Sequence, residues 1–410
     1  MTPNQILYLI IAFVVFEFIF GKVLDFLNAK SWDQKMPSIV EGLYDAAKYA
    51  KAKAYAKANG NLALISGGLS FVLTVTVLYF KAFAGLDDLA IQFSENKIIQ
   101  TLFFFGILIL ISAMINLPFS IYKTFVIEEK YGFNKTNAKT FILDMIKGVV
   151  LGALIGGLLL TALAWVYNEM GTNFWWIAWI IMTAFSLFFA TFYTTLIVPL
   201  FNKLSPLEDG ELRTSIENYA NKVAFPLTNI FVIDGSKRSS KANAFFSGLG
   251  NKKAIVLYDT LMEDNTVEEL TAILAHEVGH YKKNHIKQSM LLGILQTGVL
   301  FFIFGLLSKS EALAGAFGVT TNSFHISLIG FSLLYSPVSL MIGILMNLFS
   351  RKNEFEADAF AKETYDGVPL QSALKKLSVN HLSNLTPNKN YVFVHYSHPP
   401  LVERLTALQN

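Results

Sequence analysis

Two histidines, His276 and His280, lie four positions apart in the segment HEVGH, which also contains Glu277 directly after the first histidine. On a helix, residues four positions apart project from the same face, so both imidazoles can bind one metal ion, as in tetrahedral zinc sites. In this motif the glutamate does not bind the metal; it accepts a proton from the attacking water and passes it to the leaving amine. The motif therefore predicts zinc-dependent hydrolysis of a peptide bond.

A catalytic zinc ion needs a third protein ligand and an open coordination position. Because the chain has no cysteine, this ligand cannot be a thiolate. The segment NEFEADAFA offers Glu354 and Asp358, which are four residues apart, so one carboxylate can bind the metal while the other hydrogen-bonds a ligating imidazole. Glu356 points elsewhere on a helix and is not chosen. A solvated, acidic start of a helix would show the same residues.

The polar segment that contains the two histidines predicts a small sheet followed by a helix. The runs NIFVIDG, NAFFSG and KAIVLYDTLM are rich in β-branched and aromatic residues and are separated by polar or glycine-containing turns, which favours a small antiparallel sheet. Thr266, with Glu269 three residues later, forms a capping box at the start of the next helix. A second helix, RKNEFEADAFAKETY, opens the C-terminal polar segment.

The helix that carries the histidines is predicted to enter the membrane. The segment from Thr266 to Leu307 contains no proline, and its first glycine after the motif is Gly293, so we expect one unbroken helix over this segment. His280 would then lie about 14 Å from Ser289, where an apolar run begins. The zinc ion is therefore expected just beneath the membrane surface.

The composition indicates an integral membrane protein. Of 410 residues, 53% are hydrophobic and 15% are charged, whereas charged residues make up about a quarter of ordinary soluble proteins. A net charge of +3 gives no indication of nucleic-acid binding. Seven apolar runs are long enough to span a membrane, at about residues 5–20, 62–80, 101–119, 148–167, 174–201, 289–307 and 323–349.

The distribution of Lys and Arg between these runs predicts the orientation and the domains. Basic residues are concentrated in alternate loops, which places the N-terminus outside and the C-terminus in the cytosol. The two large polar segments then lie on the cytosolic side and can form one domain. We expect a membrane domain with five spans (1–201), a first catalytic part (202–288), two further spans (289–349) and a second catalytic part (350–410).

Five motifs carry a resemblance to a known family: HEVGH, NEFEAD, SSKANAFFSGLG, FVIEEKYGFN and HYSHPPLVERLTAL. In the setting of seven spans they resemble the type I CAAX prenyl proteases, integral-membrane zinc endopeptidases of the gluzincin class. The resemblance implies a mainly α-helical membrane protein whose gluzincin-type catalytic domain cleaves prenylated, CAAX-type or membrane-presented peptides near their C-termini. We also expect a monomer with one zinc ion per chain, with the extended or prenylated peptide and membrane lipid as partners and no nucleic acid. The expected location is a bacterial inner membrane or the endoplasmic reticulum membrane.

The resemblance also implies roles for particular residues. Zinc would be bound by His276, His280 and Glu354, with Glu277 as general base and acid. An edge strand formed by Asn243, Ala244, Phe245 and Phe246 would take the substrate backbone by strand addition. His398 would stabilise the oxyanion, Arg404 would pair with Asp358, and the spans would enclose a large water-filled chamber.

Two alternatives remain open at this stage. A heat-shock-type quality-control metalloprotease shares the HEVGH pattern, but it is expected to have fewer spans and no YSHPP segment. A seven-helix transporter or receptor with a structural metal is the other alternative, and Glu277 argues against it because a structural site needs no general base. By themselves, Asn243 fits a turn residue, His398 a structural histidine, and His285 a group on the helix surface or beside the ligands.

Overall fold

The computed structural model describes residues 1–227, 229–248 and 254–410, and it is mainly α-helical. The helices are α1 (Pro3–Lys30), α2 (Ala46–Tyr79), α3 (Ala82–Phe93), α4 (Lys97–Tyr122), α5 (Glu129–Tyr131), α6 (Ala138–Met170), α7 (Phe174–Leu196), α8 (Val198–Phe201), α9 (Glu211–Lys222), α10 (Asp259–Asp264), α11 (Val267–Lys282), α12 (His285–Leu307), α13 (Glu311–Ala316), α14 (Phe324–Thr364), α15 (Gly367–Asn380), α16 (Lys389–His395) and α17 (Leu401–Gln409). The strands are β1 (Leu204–Pro206), β2 (Asn229–Ile233), β3 (Ala244–Ser247) and β4 (Ala254–Tyr258).

Seven helices among the described residues are long and apolar enough to cross a membrane, which confirms the seven predicted spans. They are α1, α2, α4, α6, α7, α12 and α14, and they pack in a closed ring in that order, with α14 returning to α1. At most 17% of the residues in the most apolar window of any span are buried by the protein. Helix α14 also contacts α4 and α6 across the ring. The water-filled chamber that the resemblance implies stays a prediction.

One end of the ring is closed by a compact apolar cluster. Phe104 of α4, Phe317 beside α13 and Ile326 of α14 are fully buried there. His325 of α14 lies in the same region, with its Nε2 atom 2.5 Å from Oδ1 of Asp87 on α3. This cluster ties α3, α4 and α14 together at the end of the ring remote from the two polar segments.

The sheet at the opposite end is mixed, so the prediction of a purely antiparallel sheet is wrong. Its strand order is β1-β2-β4-β3, with β1 antiparallel to β2, β2 parallel to β4, and β3 antiparallel to β4. The reason is topological. Strand β3 lies at the edge of the sheet and runs opposite to β2. Strand β4 is antiparallel to β3 and lies between β3 and β2, so it runs in the same direction as β2.

Helix α11 lies in the core of the domain beside this sheet. The predicted capping box is confirmed: the Glu269 amide donates to Thr266 Oγ1 at 3.3 Å, and the Thr266 amide donates to Glu269 Oε2 at 2.8 Å. The same carboxylate accepts hydrogen bonds from Lys376 Nζ (2.7 Å) and Ser372 Oγ (2.6 Å) of α15. The start of α11 is therefore fixed to α15 as well as capped.

Gly279 lets α11 approach α14 closely. A Cβ atom at this position would lie 3.0 Å from the Cα atom of Ala357 and 3.1 Å from its carbonyl oxygen. Contacts this short with backbone are rare, and the two helices would have to move apart by a few tenths of an ångström to accept them. The absence of a side chain at Gly279 thus sets the distance between the two helices that carry the candidate ligands.

The expected unbroken helix from Thr266 to Leu307 is interrupted, and that prediction is wrong. Helix α11 ends at Lys282 and α12 begins at His285, with Asn284 in the left-handed conformation at φ 59°. Asparagine adopts this conformation more readily than most residues, so no proline or glycine is needed to end the helix. Conversely, the predicted NEFEAD helix is not separate, because α14 continues from the last span to Thr364.

Candidate metal centre

The structure brings His276 and His280 of α11 together with Glu354 of α14. The two Nε2 atoms of the histidines are 3.2 Å apart. Glu354 Oε2 lies 3.5 Å from His276 Nε2, and Glu354 Oε1 lies 3.3 Å from His280 Nε2. Ligand atoms about 2.0–2.1 Å from a tetrahedral zinc ion are about 3.3 Å from one another. The short contacts to the two histidines use different oxygens of Glu354, and one ligand atom from each of the three residues lies within 4.8 Å of the others, close enough for all three to bind one metal ion.

The polar atoms of this cluster also fit a bound cation. Glu354 Oε2 is buried and has no hydrogen-bond partner among the described residues. The Nε2 atoms of His276 and His280 point at each other, and neutral imidazoles whose Nδ1 atoms carry the protons would leave two lone pairs facing one region. A divalent cation would satisfy the carboxylate and both lone pairs at once. The donor set fits zinc, and it contains no thiolate.

A second set of contacts orients His276. Its Nδ1 atom lies 2.9 Å from Oδ1 of the buried Asp358, which favours the tautomer with the proton on Nδ1 and a lone pair on Nε2. Arg404 donates two hydrogen bonds to Asp358, from Nε at 2.8 Å and from Nη2 at 2.6 Å. Arg404 Nη1 is also 3.5 Å from Glu354 Oε2. The predicted pair between Arg404 and Asp358 is therefore present beside the ligands.

The charge of these neighbours changes the protonation of His276. Burial by itself lowers the pKa of His276, but its contacts with the carboxylates of Asp358 and Glu354 outweigh burial and raise the pKa to about 9. A metal ion must displace this proton to bind.

His280 is held by a chain of contacts that the sequence did not reveal. Its Nδ1 atom is 3.1 Å from Nδ1 of His285, and His285 Nε2 is 3.1 Å from Oε2 of Glu356. His285 is buried next to His280, so of the two positions that the sequence left open it takes the one beside the candidate ligands and not the one on the helix surface. Glu356 lies away from the three candidate ligands, as expected, yet it supports one of them through His285. Only the break at Asn284 turns His285 back towards His280, and no sequence pattern indicates that break.

The two other candidate catalytic residues lie around the ligands. Glu277 is half-buried on α11, between the two histidines in sequence. His398 follows α16, with its Nε2 atom 3.3 Å from Glu354 Oε1, its Nδ1 atom 3.0 Å from Ser397 Oγ, and 65% of its side chain exposed. The exposed ring of His398 is therefore accessible to a substrate that approaches the cluster. Its role in stabilising an oxyanion stays a prediction.

Strand β3 is an edge strand of the sheet. Within the described residues, the strand pairs with β4 on one side and with no strand on the other. Ala244, Phe245 and Phe246 lie in this strand, and Asn243 precedes it, with its side-chain oxygen accepting from the Ala244 amide at 2.9 Å. An edge of this kind presents free backbone groups to an extended peptide. Strand addition at β3 stays a prediction.

The FVIEEKYGFN segment contacts the chain that leads into β3, as its charged residues ahead of a glycine turn suggest for a loop beside the catalytic domain. Span α4 continues into a π-helical segment, Lys123–Glu128, and Glu128 accepts from Tyr55 Oη at 2.6 Å and from Lys241 Nζ at 3.0 Å. The Lys241 ammonium also lies 4.4 Å from the centre of the Phe133 ring. Because Lys241 comes two residues before Asn243, these contacts anchor the chain that leads into β3 to helices of the membrane domain.

Comparisons with known proteins cover the whole length of the chain. Residues 26–203 match the family described as CAAX prenyl protease N-terminal, five membrane helices, and residues 206–410 match peptidase family M48. The chain is 35% identical to CAAX prenyl protease 1 of Saccharomyces cerevisiae, over 99% of the chain and 96% of that protein. It is 34% identical to the CAAX prenyl protease 1 homolog of Homo sapiens, over 87% of the chain and 82% of that protein. The crystal structure of S. mikatae Ste24p superposes with a TM-score of 0.93 at 35% identity, over 100% of this chain and 99% of that one.

Proposed function

Because this chain belongs to the CAAX prenyl protease family of M48 peptidases, we propose that it hydrolyses peptide bonds near the C-termini of prenylated or otherwise membrane-presented substrates. It is an integral-membrane metalloendopeptidase. The observation that carries the proposal is the cluster of His276, His280 and Glu354, with Glu277 next to His276 in sequence, near the start of span α12 and within the helix of the last span, α14. Relatives that match over nearly the full chain favour this function over a transporter or a heat-shock-type protease.

In the proposed mechanism, the side chains of this cluster divide the work. His276, His280 and Glu354 would hold zinc, which supplies Lewis-acid polarisation of the scissile carbonyl and of water. The Glu277 carboxylate accepts a proton from the attacking water and then donates it to the leaving amine. His398, exposed beside Glu354, donates a hydrogen bond to the oxygen on which negative charge develops.

The outer contacts keep these groups in place during the reaction. Asp358 holds the proton of His276 on Nδ1, and Arg404 balances the charge of Asp358 in a region that excludes water. The substrate backbone adds to the free edge of β3, which selects an extended segment. A membrane anchor on the substrate raises its local concentration near the site and limits its orientations.

We also propose that the catalytic domain faces the cytosol, as the distribution of basic residues between the spans supports. The membrane is then a bacterial inner membrane or that of the endoplasmic reticulum, and the active form is a monomer with one zinc ion.

A cleavage assay with matched peptides tests the function. The purified protein is incubated with a farnesylated and a non-farnesylated CAAX peptide, with and without a chelator, and the products are identified by mass spectrometry. We expect cleavage near the C-terminus, loss of cleavage with the chelator, and a lower KM for the farnesylated peptide. Cleavage that the chelator does not affect would overturn the zinc mechanism.

The selectivity for extended segments needs a separate comparison. We expect unstructured C-terminal peptides to be cleaved and compact folded proteins without a flexible tail to remain intact. Digestion of casein-like and tightly folded proteins at comparable rates would show that the site is openly exposed. A Glu354→Ala variant provides the control for metal dependence: it should bind zinc weakly and lose activity as a consequence.

A further inference from the structure

A cleft separates α1 from α2 on the same side of the membrane as the candidate metal centre. The two helices touch at the stacked rings of Phe18 and Phe71, 4.2 Å apart, and again, beyond the end of α1, where Trp32 packs against Tyr49 at 5.5 Å. Between these two contacts the helices enclose a cavity of about 730 Å³. We name this cavity the α1–α2 cleft; its walls include Lys22, Phe26, Lys53, Lys57 and Leu64.

The polar part of the α1–α2 cleft carries an excess of positive charge. Three lysines line it, at positions 22, 53 and 57, against one acidic residue in its walls, Asp25. Lys22 Nζ is 2.7 Å from Asp25 Oδ2, and Lys53 pairs with Asp33 outside the cleft. Lys57 makes no ion pair within 4 Å in the part of the chain that the structure describes. The cleft therefore suits a ligand with a negative group.

The cleft lies where both helices leave the apolar part of the membrane. The apolar run of α1 ends at residue 20, just before Lys22, and the apolar run of α2 begins at residue 62, just after Lys57. The lysines thus lie at the level of lipid headgroups, where such residues attract anionic lipids. Leu64, 54% exposed, continues the wall of the cleft towards the apolar part of the span.

These observations assign a ligand with two parts. A phosphate alone would use the lysines but leave the apolar wall at Leu64 without a partner. A phospholipid places its phosphate among the lysines and its acyl chains along the apolar wall. We propose that the α1–α2 cleft binds one anionic phospholipid, with the phosphate between Lys22 and Lys57. The site is separate from the metal centre and does not take part in the cleavage reaction.

Native mass spectrometry of the purified, full-length protein tests this proposal. The protein in detergent is offered equal amounts of phosphatidylglycerol and phosphatidylcholine, and the lipid retained on each molecule is identified. We expect one tightly retained phosphatidylglycerol on the unmodified protein. In the double variant Lys22→Gln/Lys57→Gln, its retention should fall by about thirtyfold, since each lysine near an anionic headgroup contributes about a fivefold preference.

A double variant with the same change in net charge serves as the control. Lys48→Gln/Lys51→Gln removes two lysines from α2 that line a different cavity, next to Tyr131 and Asp264. We expect this variant to retain phosphatidylglycerol like the unmodified protein. Equal loss in both double variants would overturn the proposal in favour of diffuse attraction, and no loss in either would overturn it as well.

Two further measurements keep the result interpretable. The single variant Lys57→Gln changes a residue without an ion pair in the described structure, so it should fold normally and lose about fivefold in retention. Displacement of the lipid by soluble glycerol phosphate at comparable concentration would show that the cleft recognises free phosphate, which would overturn the assignment to a lipid. Unchanged zinc content in all variants is expected, because the cleft and the metal centre share no residue.

Discussion

Asp358→Asn isolates the effect of one negative charge beside the metal centre. The asparagine side chain keeps the size and an acceptor oxygen, so the hydrogen bond from Nδ1 of His276 can persist at its present distance of 2.9 Å. The substitution removes the charge that raises the basicity of the imidazole and that balances Arg404. We expect weaker zinc binding in an otherwise similar site.

The expected magnitude has two parts. Loss of a carboxylate partner of a ligating histidine typically lowers metal affinity about 10–100-fold, which is about 1.4–2.7 kcal/mol. Because the introduced amide oxygen still accepts the hydrogen bond, the lower end of this range applies to zinc affinity. Removing one partner of a buried ion pair costs about 3–5 kcal/mol of folding stability. In the variant, Arg404 retains a second carboxylate partner, because its Nη1 atom lies 3.5 Å from Glu354 Oε2. The loss of folding stability should therefore be nearer to the lower end of that range.

The assay is a competition for zinc against a fluorescent chelator, combined with thermal unfolding of the metal-free protein. The double variant Asp358→Asn/Arg404→Gln separates the two effects: it should recover stability, since no unpaired charge is buried, while zinc affinity stays low. Glu356→Gln is the matched control on the same helix. Glu356 is 40% exposed and reaches His280 only through His285, so it should change zinc affinity less than about threefold. Native zinc affinity in Asp358→Asn, or a larger loss in Glu356→Gln, would refute this reasoning.

Further predictions concern catalysis, pH, the helix break and orientation. Glu277→Gln should retain zinc, measured as metal content, but lose about 10²–10⁴-fold in kcat/KM; a metal-free variant would contradict the role of a proton carrier. Although burial raises the pKa of Glu269, hydrogen bonds from its lysine, serine and backbone partners outweigh burial and lower the pKa below 4.5. The Glu269 carboxylate therefore stabilises the folded protein fully above pH 4.5, and this stabilisation is lost as the pH falls through its lowered pKa. The melting temperature of Glu269→Gln should be below that of the native protein at pH 7, and the two melting temperatures should converge in acid. Asn284→Ala should cost about 1–2 kcal/mol in denaturant unfolding because of its left-handed conformation, and Asn284→Gly should be nearly neutral. A cysteine at Asp88 should react with an impermeant thiol reagent from outside, whereas one at Lys252, which lies outside the described residues, should react only after permeabilisation; reversed labelling would contradict the cytosolic orientation.

Features that depend on one continuous segment could be predicted from the sequence. The seven spans follow from the length of each apolar run, and the capping box at Thr266 follows from two residues three positions apart. The proximity of His276 and His280 follows from helical geometry alone. In each case the physical cause lies within a few turns of one element.

Features that depend on packing between elements could not be derived in this way. The conformation of Asn284 is one of several open to asparagine, and the contact between His285 and His280 depends on it. The parallel pairing of β2 and β4 depends on which side of β4 the strand β3 occupies, which the alternation of side chains does not encode. That Glu354 approaches the histidines was suggested by the family resemblance and not by spacing, since 74 residues separate it from His280 (354 minus 280).

The candidate metal centre lies where two differently anchored helices meet. Helix α14 is continuous, so Glu354 lies on the same helix as the last span. Helix α11, in contrast, is separated from span α12 by the break at Asn284. It is held by the apolar core that it shares with the sheet, by its capping box and by the contacts of Glu269 with α15. Because Gly279 has no side chain, the backbone of α11 can pack directly against the backbone of α14 at Ala357. Because one ligand helix belongs to the membrane ring and the other to the domain with the edge strand, the three ligands can come together only where ring and domain join. In the function proposed above, a lipid-anchored substrate would reach that junction with its extended tail beside β3, which would account for hydrolysis there and not in the body of the domain.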